Sequence, residues 1–311
     1  MSPASKFKQI YICTKPLQMM IAMILNEQAL ESNLYITDSF HSAKNFLHSP
    51  PLRQRFSDIR FFSNRNEAIL FAAKQKPAAI FIDSDIGLKT QFTLLAAKFL
   101  SPTTSIQVYE EGIGTYRTDL ITSRLKYLLY KLTGTARHFG GSIFSKKIWV
   151  FDPVLFSSKL PHLKYKIKKI EPSLIDWIRN HKSEIIDIFL PKNEILYPNS
   201  SNVAYLYLSS WMIDHETLAA MNTLDNVFIK PHPHIQDDLI RIEKKGTAAT
   251  WIPSSCPAEV IILLLCNYYK VVYVKHNNSS AVMYMRCLNN LVEFDEHINK
   301  TSIVLFNVGA K

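Results

Sequence analysis

Short apolar runs and stripes of helical periodicity alternate along most of the chain. Residues 9–13, 33–37, 59–62, 78–82 and 105–109 are compact apolar runs with the length of buried strands. Between them, residues 17–26, 66–75 and 90–100 read as helices, and Pro77 and Pro102 stop the last two. A second series follows, with strands at 203–208, 227–229 and 270–274 and helices at 214–221, 235–244, 257–266 and 280–288. Residues 173–189 are helical in pattern, and 191–198, bounded by prolines, read as a linker. Strands alternating with helices predict parallel, doubly wound sheets. The expectation is an α/β chain of two Rossmann-like domains. They comprise an N-terminal domain at 1–155, a helical connector at 156–198 and a C-terminal domain at 199–311.

At 311 residues the chain is long enough for two separate cores, and 47% hydrophobic with 20% charged residues is a globular composition. Its longest apolar stretch, 260–266, falls far short of the roughly 20 residues a membrane span needs. No apolar h-region follows Lys6 and Lys8, so a cytosolic location is expected. Cys13, Cys256, Cys266 and Cys287 have neither CxxC pairing nor metal-site spacing, and three lie in apolar runs, which reads as buried thiols in a reducing compartment.

The net charge of +10 is unevenly placed. Between Leu120 and Ile170 stand eleven Lys or Arg residues against the single acid Asp152, so this window alone carries the charge of the whole chain. Apolar and aromatic residues interleave with the cations. Together they predict an amphipathic stretch, from Arg124 to Lys169, that adsorbs to an anionic membrane. Nucleic acid is disfavoured as a partner, because the block lies outside the candidate site and matches no RNA- or DNA-binding motif.

Two motifs carry the candidate chemistry. Tyr109-Glu110-Glu111-Gly112-Ile113-Gly114 and Lys230-Pro231-His232-Pro233-His234 each follow a short apolar run. In open α/β sheets ligands bind beyond the carboxyl ends of strands. Adjacent carboxylates at such an end are candidates for a general base, since repulsion and partial desolvation raise the proton affinity of at least one. In the second motif, prolines on both sides of His232 restrict the backbone and fix where the imidazole points. Lys230, two residues away, suits a phosphate, and His232 can donate a proton to it. Ser279 and Ser280 open a predicted helix, where hydroxyls and free N–H groups form an anion site. Glu259 lies in the first turn of its helix, either favouring the dipole or reaching a ribose diol. His215 and His234 read as surface or structural residues. No GxGxxG, P-loop, GxSxG or DxD is present.

In combination these residues resemble the bacterial sialyltransferases of the glycosyltransferase-B type, which include lipooligosaccharide sialyltransferases and capsular polysialyltransferases. Glu110-Glu111-Gly112, His232-Pro233 and Ser279-Ser280 match that family's acidic, His-Pro and Ser/Thr motifs, in order. The start, Ile12-Cys13-Thr14-Lys15-Pro16-Leu17-Gln18, is similar to the first strand and loop of the lipooligosaccharide group, with Lys15 as an extra residue.

The resemblance implies two Rossmann-like domains with the active site in the crevice between them. It implies transfer from CMP-sialic acid to a glycan hydroxyl, with no metal or other cofactor. Glu111 would be the base, with Glu110 beside it and Asp214 as a second candidate. His232 would protonate the departing phosphate. Lys230, His232, Pro233, Ser279 and Ser280 would bind CMP, with Glu259 on the ribose, and Gln18, Gly112 and Ile113 would face the acceptor. A lipid-linked or lipooligosaccharide glycan is the implied acceptor, and a homodimer remains open. Alternatives are transfer of another sugar to lipopolysaccharide, or a non-catalytic binding protein on the same sheet.

Overall fold

The computed structural model describes residues 8–27, 31–190, 202–235, 237–277, 279–288 and 290–296. The expected linker at 191–198 lies outside them. The chain divides into two compact units, at 1–174 and 175–311.

The first unit is a seven-stranded sheet. Its strands are β1 (Lys8–Cys13), β2 (Glu31–Thr37), β3 (Asp58–Phe62), β4 (Ala79–Ile82), β5 (Ser105–Tyr109), β6 (Ser145–Val150) and β7 (Ile167–Lys169). They lie in the order β3-β2-β1-β4-β5-β6-β7, and every pairing is parallel. This is the Rossmann order with one strand added at an edge. Its helices are α1 (Pro16–Asn26), α2 (Pro50–Arg55), α3 (Arg65–Lys74), α4 (Leu88–Leu100), α5 (Arg124–Leu132) and α6 (Pro153–Lys159).

Local chemistry accounts for these elements. Helix α1, PLQMMIAMILN, is apolar nearly all round and buried over ten of its residues, as a helix enclosed by a core must be. Helix α3 starts at Asn64, whose side chain accepts the Glu67 N–H at 3.1 Å. Strand β1 is central, so its last four residues are all buried.

The second unit repeats the plan with α7 (Leu174–Asn180), α8 (Lys182–Phe189), β8 (Val203–Leu208), α9 (His215–Met221), β9 (Val227–Lys230) and α10 (Asp237–Lys244). There follow β10 (Thr250–Trp251), α11 (Ala258–Leu265), β11 (Val271–His276), α12 (Ala281–Met285) and β12 (Val292–Glu296). Its strand order is β10-β9-β8-β11-β12, again all parallel. Tyr207, Leu218, Met221, Val227, Ile229 and Trp251 close one face of this sheet into a core.

Both units are therefore the doubly wound α/β folds that the sequence predicts. β7 pairs with β6 inside the first unit, which runs to residue 174, and α7 from Ile175 on and α8 lie in the second. Of the four thiols, only Cys13 and Cys256 are buried; Cys266 is intermediate and Cys287 exposed. Burial pushes Cys13 up to about 12 and Cys266 to about 11, so neither is an active thiolate.

One polar tie holds the loop at 140–145, which begins Gly140-Gly141, against the end of β4. Asp85, fully buried, accepts the N–H of Gly140 at 3.0 Å, the N–H of Ser142 at 2.9 Å and the Ser145 hydroxyl at 2.8 Å. Burial raises its proton affinity, and these donors counter the shift. Lys166 grips the same loop from the other side, donating to the carbonyls of Gly140 (2.9 Å) and Ser142 (2.8 Å). Lys166 is thus a buried loop clamp and leaves the set of cations expected to meet a membrane. Asp85→Ala strands three buried donors and is expected to destabilise the protein by about 3 kcal/mol or more, read by urea denaturation. A loss under about 1 kcal/mol would show that the loop does not depend on this carboxylate.

Candidate functional site

Each parallel sheet delivers every strand to the same carboxyl edge, and the motif residues gather at these two edges. In the first unit the edge is built around β1, β4 and β5. Gln18 is completely buried. Its amide oxygen accepts the N–H groups of Thr14 (2.6 Å) and Lys15 (3.1 Å), which shapes the turn into α1. Gln18 therefore positions the loop and is itself shielded from an acceptor. Thr14 donates from its hydroxyl to Asp83 Oδ2 at 2.8 Å, and Arg65 holds the other Asp83 oxygen at 2.9 Å. Arg65 also donates to the Thr90 hydroxyl at 3.0 Å, fastening the starts of α3 and α4 to the end of β4.

The two adjacent glutamates have opposite surroundings. Glu110 is fully buried, accepting the Tyr116 hydroxyl at 2.5 Å and the Phe151 N–H at 2.7 Å. Burial and the neighbouring carboxylate push the Tyr116 hydroxyl well above its ordinary range, so it stays a neutral donor. Glu111 points the other way and forms an ion pair with Lys15, their side chains 20% and 33% exposed. The carboxylates therefore do not share a site, contrary to the expectation of mutual repulsion.

The two nearby glycines differ in what they permit. Gly112 has φ +121°, open in practice only to glycine. A Cβ on Gly114 would stand 3.0 Å from Glu111 Oε2, so its absence leaves room for the carboxylate. Ile113 follows, partly exposed, at the rim.

At the second unit's edge, the His-Pro motif follows β9. The His232 N–H donates to the Ser209 hydroxyl at 2.9 Å, tying the motif to the end of β8. His232 Nδ1 accepts the His234 N–H at 3.3 Å, which puts the proton of a neutral ring on Nε2. Trp211, 64% exposed, stacks on both His232 (centroids 5.0 Å apart) and His234 (4.8 Å). Pro233 completes the motif as a fixed-φ residue between the two stacked rings. Ser279 Oγ accepts the Ala281 N–H at 3.3 Å, and Ser280 is the N-cap of α12, both partly exposed after β11.

Three residues expected at the ligand are directed elsewhere. Lys230 is 5% exposed, and its ammonium donates to the carbonyls of Pro231 (2.6 Å) and Ser254 (3.0 Å). Glu259, 3% exposed, is electrostatically coupled to it. Asp214 caps α9, accepting the Thr217 N–H at 3.0 Å and the Thr217 hydroxyl at 2.5 Å. Each reads from sequence as a functional charge, and each closes a polar gap in the fold. Two residues with larger parts, Lys15 and Trp211, had weak signals: an extra cation in the first loop and an aromatic just after a strand.

Among the described residues no group of three or more His, Cys, Asp or Glu side chains could hold a metal ion. A cavity of about 200 Å³ in the second unit, lined by Arg179, Lys182, Val260, Leu263 and Leu264, contains none of the motif residues.

No family model matches the chain, and no curated protein matches it. Solved structures similar to it include one from Listeria monocytogenes described as a UDP-N-acetylglucosamine 2-epimerase. That pair shares 11% identity over 93% of this chain and 79% of the other, with a TM-score of 0.48. S. aureus MnaA, solved with UDP, shares 12% identity over 92% and 78%, with a TM-score of 0.49. A further UDP-N-acetylglucosamine 2-epimerase shares 9% over 97% and 81%, also at 0.49. Likeness at this level assigns neither a substrate nor a residue.

The Lys230–Glu259 pair makes stability depend on pH. Burial raises Glu259 from 4.5 to about 7, so its contribution is present below about pH 4.5 and is lost as pH rises towards 7. Burial lowers Lys230 from 10.5 to about 8, so its cost is relieved only above that value. Glu259→Gln removes the first effect. Relative to wild type, the variant is expected to gain on the order of 3 kcal/mol between pH 4.5 and 7, measured by urea denaturation. Parallel pH profiles for the two proteins would contradict this.

Proposed function

We propose that the protein is an inverting glycosyltransferase that moves sialic acid from CMP-sialic acid to a hydroxyl of a bacterial surface glycan. The observation that carries the reading is His232. It stands at the carboxyl end of a parallel strand, with its N–H fixed on Ser209 and its ring stacked on Trp211. Donor chemistry is assigned to the second unit and acceptor chemistry to the first.

In the proposed reaction Glu111 takes the proton of the acceptor hydroxyl. The freed oxygen attacks the anomeric carbon of sialic acid, and the bond from that carbon to the phosphate oxygen breaks. His232, as the imidazolium, gives its Nε2 proton to the departing phosphate of CMP and becomes neutral, while Ser279 and Ser280 bind the same phosphate. Lys15 offsets the charge of Glu111 and sets its orientation. Lys230, Glu259 and Asp214 support the fold beneath the site, and Glu110 holds the acidic loop in place. Gly112 and Ile113 border the acceptor. Donor and a lipid-linked acceptor would meet at the cytoplasmic face of the inner membrane. No helix among the described residues is long and apolar enough to cross that membrane.

The test is transfer from CMP-sialic acid to a panel of lactosyl, galactosyl and sialyl acceptors, read by mass spectrometry. His232→Ala is expected to lower turnover by about 10²–10⁴-fold, the usual cost of removing a general acid, while its urea midpoint stays near wild type. Glu111→Gln should lose a similar factor and keep its affinity for CMP. Asp214→Asn should lose activity only in proportion to stability. Full activity in His232→Ala would overturn the donor-site assignment. Full activity in Glu111→Gln, with loss in a folded Asp214→Asn, would move the base to Asp214. Transfer from a uridine-linked sugar in preference to CMP-sialic acid would favour the alternative donor.

A further inference from the structure

Helix α5 is inside out. In a surface helix of a globular protein the apolar stripe faces the core. Here Leu125, Leu128, Leu129 and Leu132, spaced i, i+3, i+4 and i+7 on one face, are 78%, 52%, 43% and 76% exposed. Only Tyr130 is buried, its hydroxyl 3.8 Å from where a Cβ on Gly87 would stand. The helix is well formed nonetheless. Ser123 accepts the Lys126 N–H at 3.4 Å, and Gly134, at φ +63°, follows its last turn. A contiguous apolar stripe in solvent marks an interaction surface.

We propose that this stripe lies flat in the interface of an anionic bilayer and holds the protein on a membrane. Charge selects the occupant. Arg124, Lys126 and Lys131 flank the leucines, and no acidic residue occurs from Leu120 through Phe151. Arg137 adds a further cation beside the helix, stacked over Tyr127 at 4.6 Å. A second copy of the chain is the poorer fit. Two-fold pairing sets the same patch against itself, bringing these cations together with no acid in the segment to offset them. An anionic headgroup layer over hydrocarbon answers both features at once. At nine residues, about 13 Å long, the helix can lie in the interface but cannot span it. The apolar contact is assigned to α5; farther along the basic block Lys166 is buried and Lys169 is paired with Glu171 at 2.7 Å. The inference does not depend on the identity of the sugar donor.

The experiment is co-sedimentation with phosphatidylcholine vesicles, with and without phosphatidylglycerol, at low and high salt. Light scattering of the free protein runs alongside. Wild type is expected to bind the anionic vesicles and to be released by salt. Replacing Arg124, Lys126 and Lys131 by Gln should weaken that binding roughly 100-fold, about fivefold per cation. Leu128→Gln with Leu132→Gln should weaken it at least about tenfold. Unchanged circular dichroism and transfer to a soluble acceptor would show that both variants fold. Equal binding of wild type to neutral and anionic vesicles would overturn the proposal. So would undiminished binding by the leucine variant, or a wild-type dimer that this variant converts to monomer. A protein that binds vesicles as described but transfers no sugar would sink the enzymatic reading and leave this one standing.

Discussion

The structure depends on the parallel sheet and the constraint it places on the chain. Parallel strands need a crossover between each pair, so every strand of a unit runs the same way. All the loops at the carboxyl ends then collect at one edge. The polar residues of this chain follow that geometry. Thr14, Asp83 and Glu111 leave β1, β4 and β5 at the first edge, and Ser209, His232 and Ser279 leave β8, β9 and β11 at the second. Residues far apart in sequence become neighbours because the sheet order is 3-2-1-4, which sets the first and fourth strands side by side.

Within each loop, the last residues of a strand are sorted by which way they point. Glu110 turns inward to Tyr116 and Phe151, and Glu111, one position on, meets Lys15 near solvent. The same sorting buries Lys230 and leaves His232 to stack on Trp211. A buried charge without partners would cost several kcal/mol, and Glu110, Asp85 and Lys230 are each tied to specific groups. Glu110 accepts from Tyr116 and Phe151, Asp85 from Gly140, Ser142 and Ser145, and Lys230 donates to the carbonyls of Pro231 and Ser254. These ties fix the loops that carry the outward residues. The candidate chemistry thus rests on a layer of satisfied polar groups directly beneath it.

The alternation of strand and helix was legible because central strands are continuous apolar runs, as at 9–13 and 203–208. Strand β6 was not, since its sequence SKKIWV places two lysines where an apolar run was sought. Strand β10, two residues long, is too short to leave a periodic signal. Both motif loops were legible in place, though not in orientation. Nothing local distinguishes Glu110 from Glu111, because the choice is made by Tyr116 and Phe151 folding back across the loop. Lys230 and Glu259 read as ligands because the groups that surround them are set by the fold, whereas Asp214, read as a second candidate base, caps its own helix through Thr217. Helix α5 was legible as an amphipathic basic stretch, but only the fold shows its leucines facing solvent.

The central proposal is that the second unit binds cytidine monophosphate at the carboxyl edge of β9, β8 and β11, while the first unit serves the acceptor. Hydrogen–deuterium exchange with saturating CMP tests it most directly. Protection is expected in peptides covering 227–235 and 271–288, with little change over 105–116 and a weaker effect from UMP. Protection confined to the acidic loop, or equal protection by UMP and CMP, would contradict it.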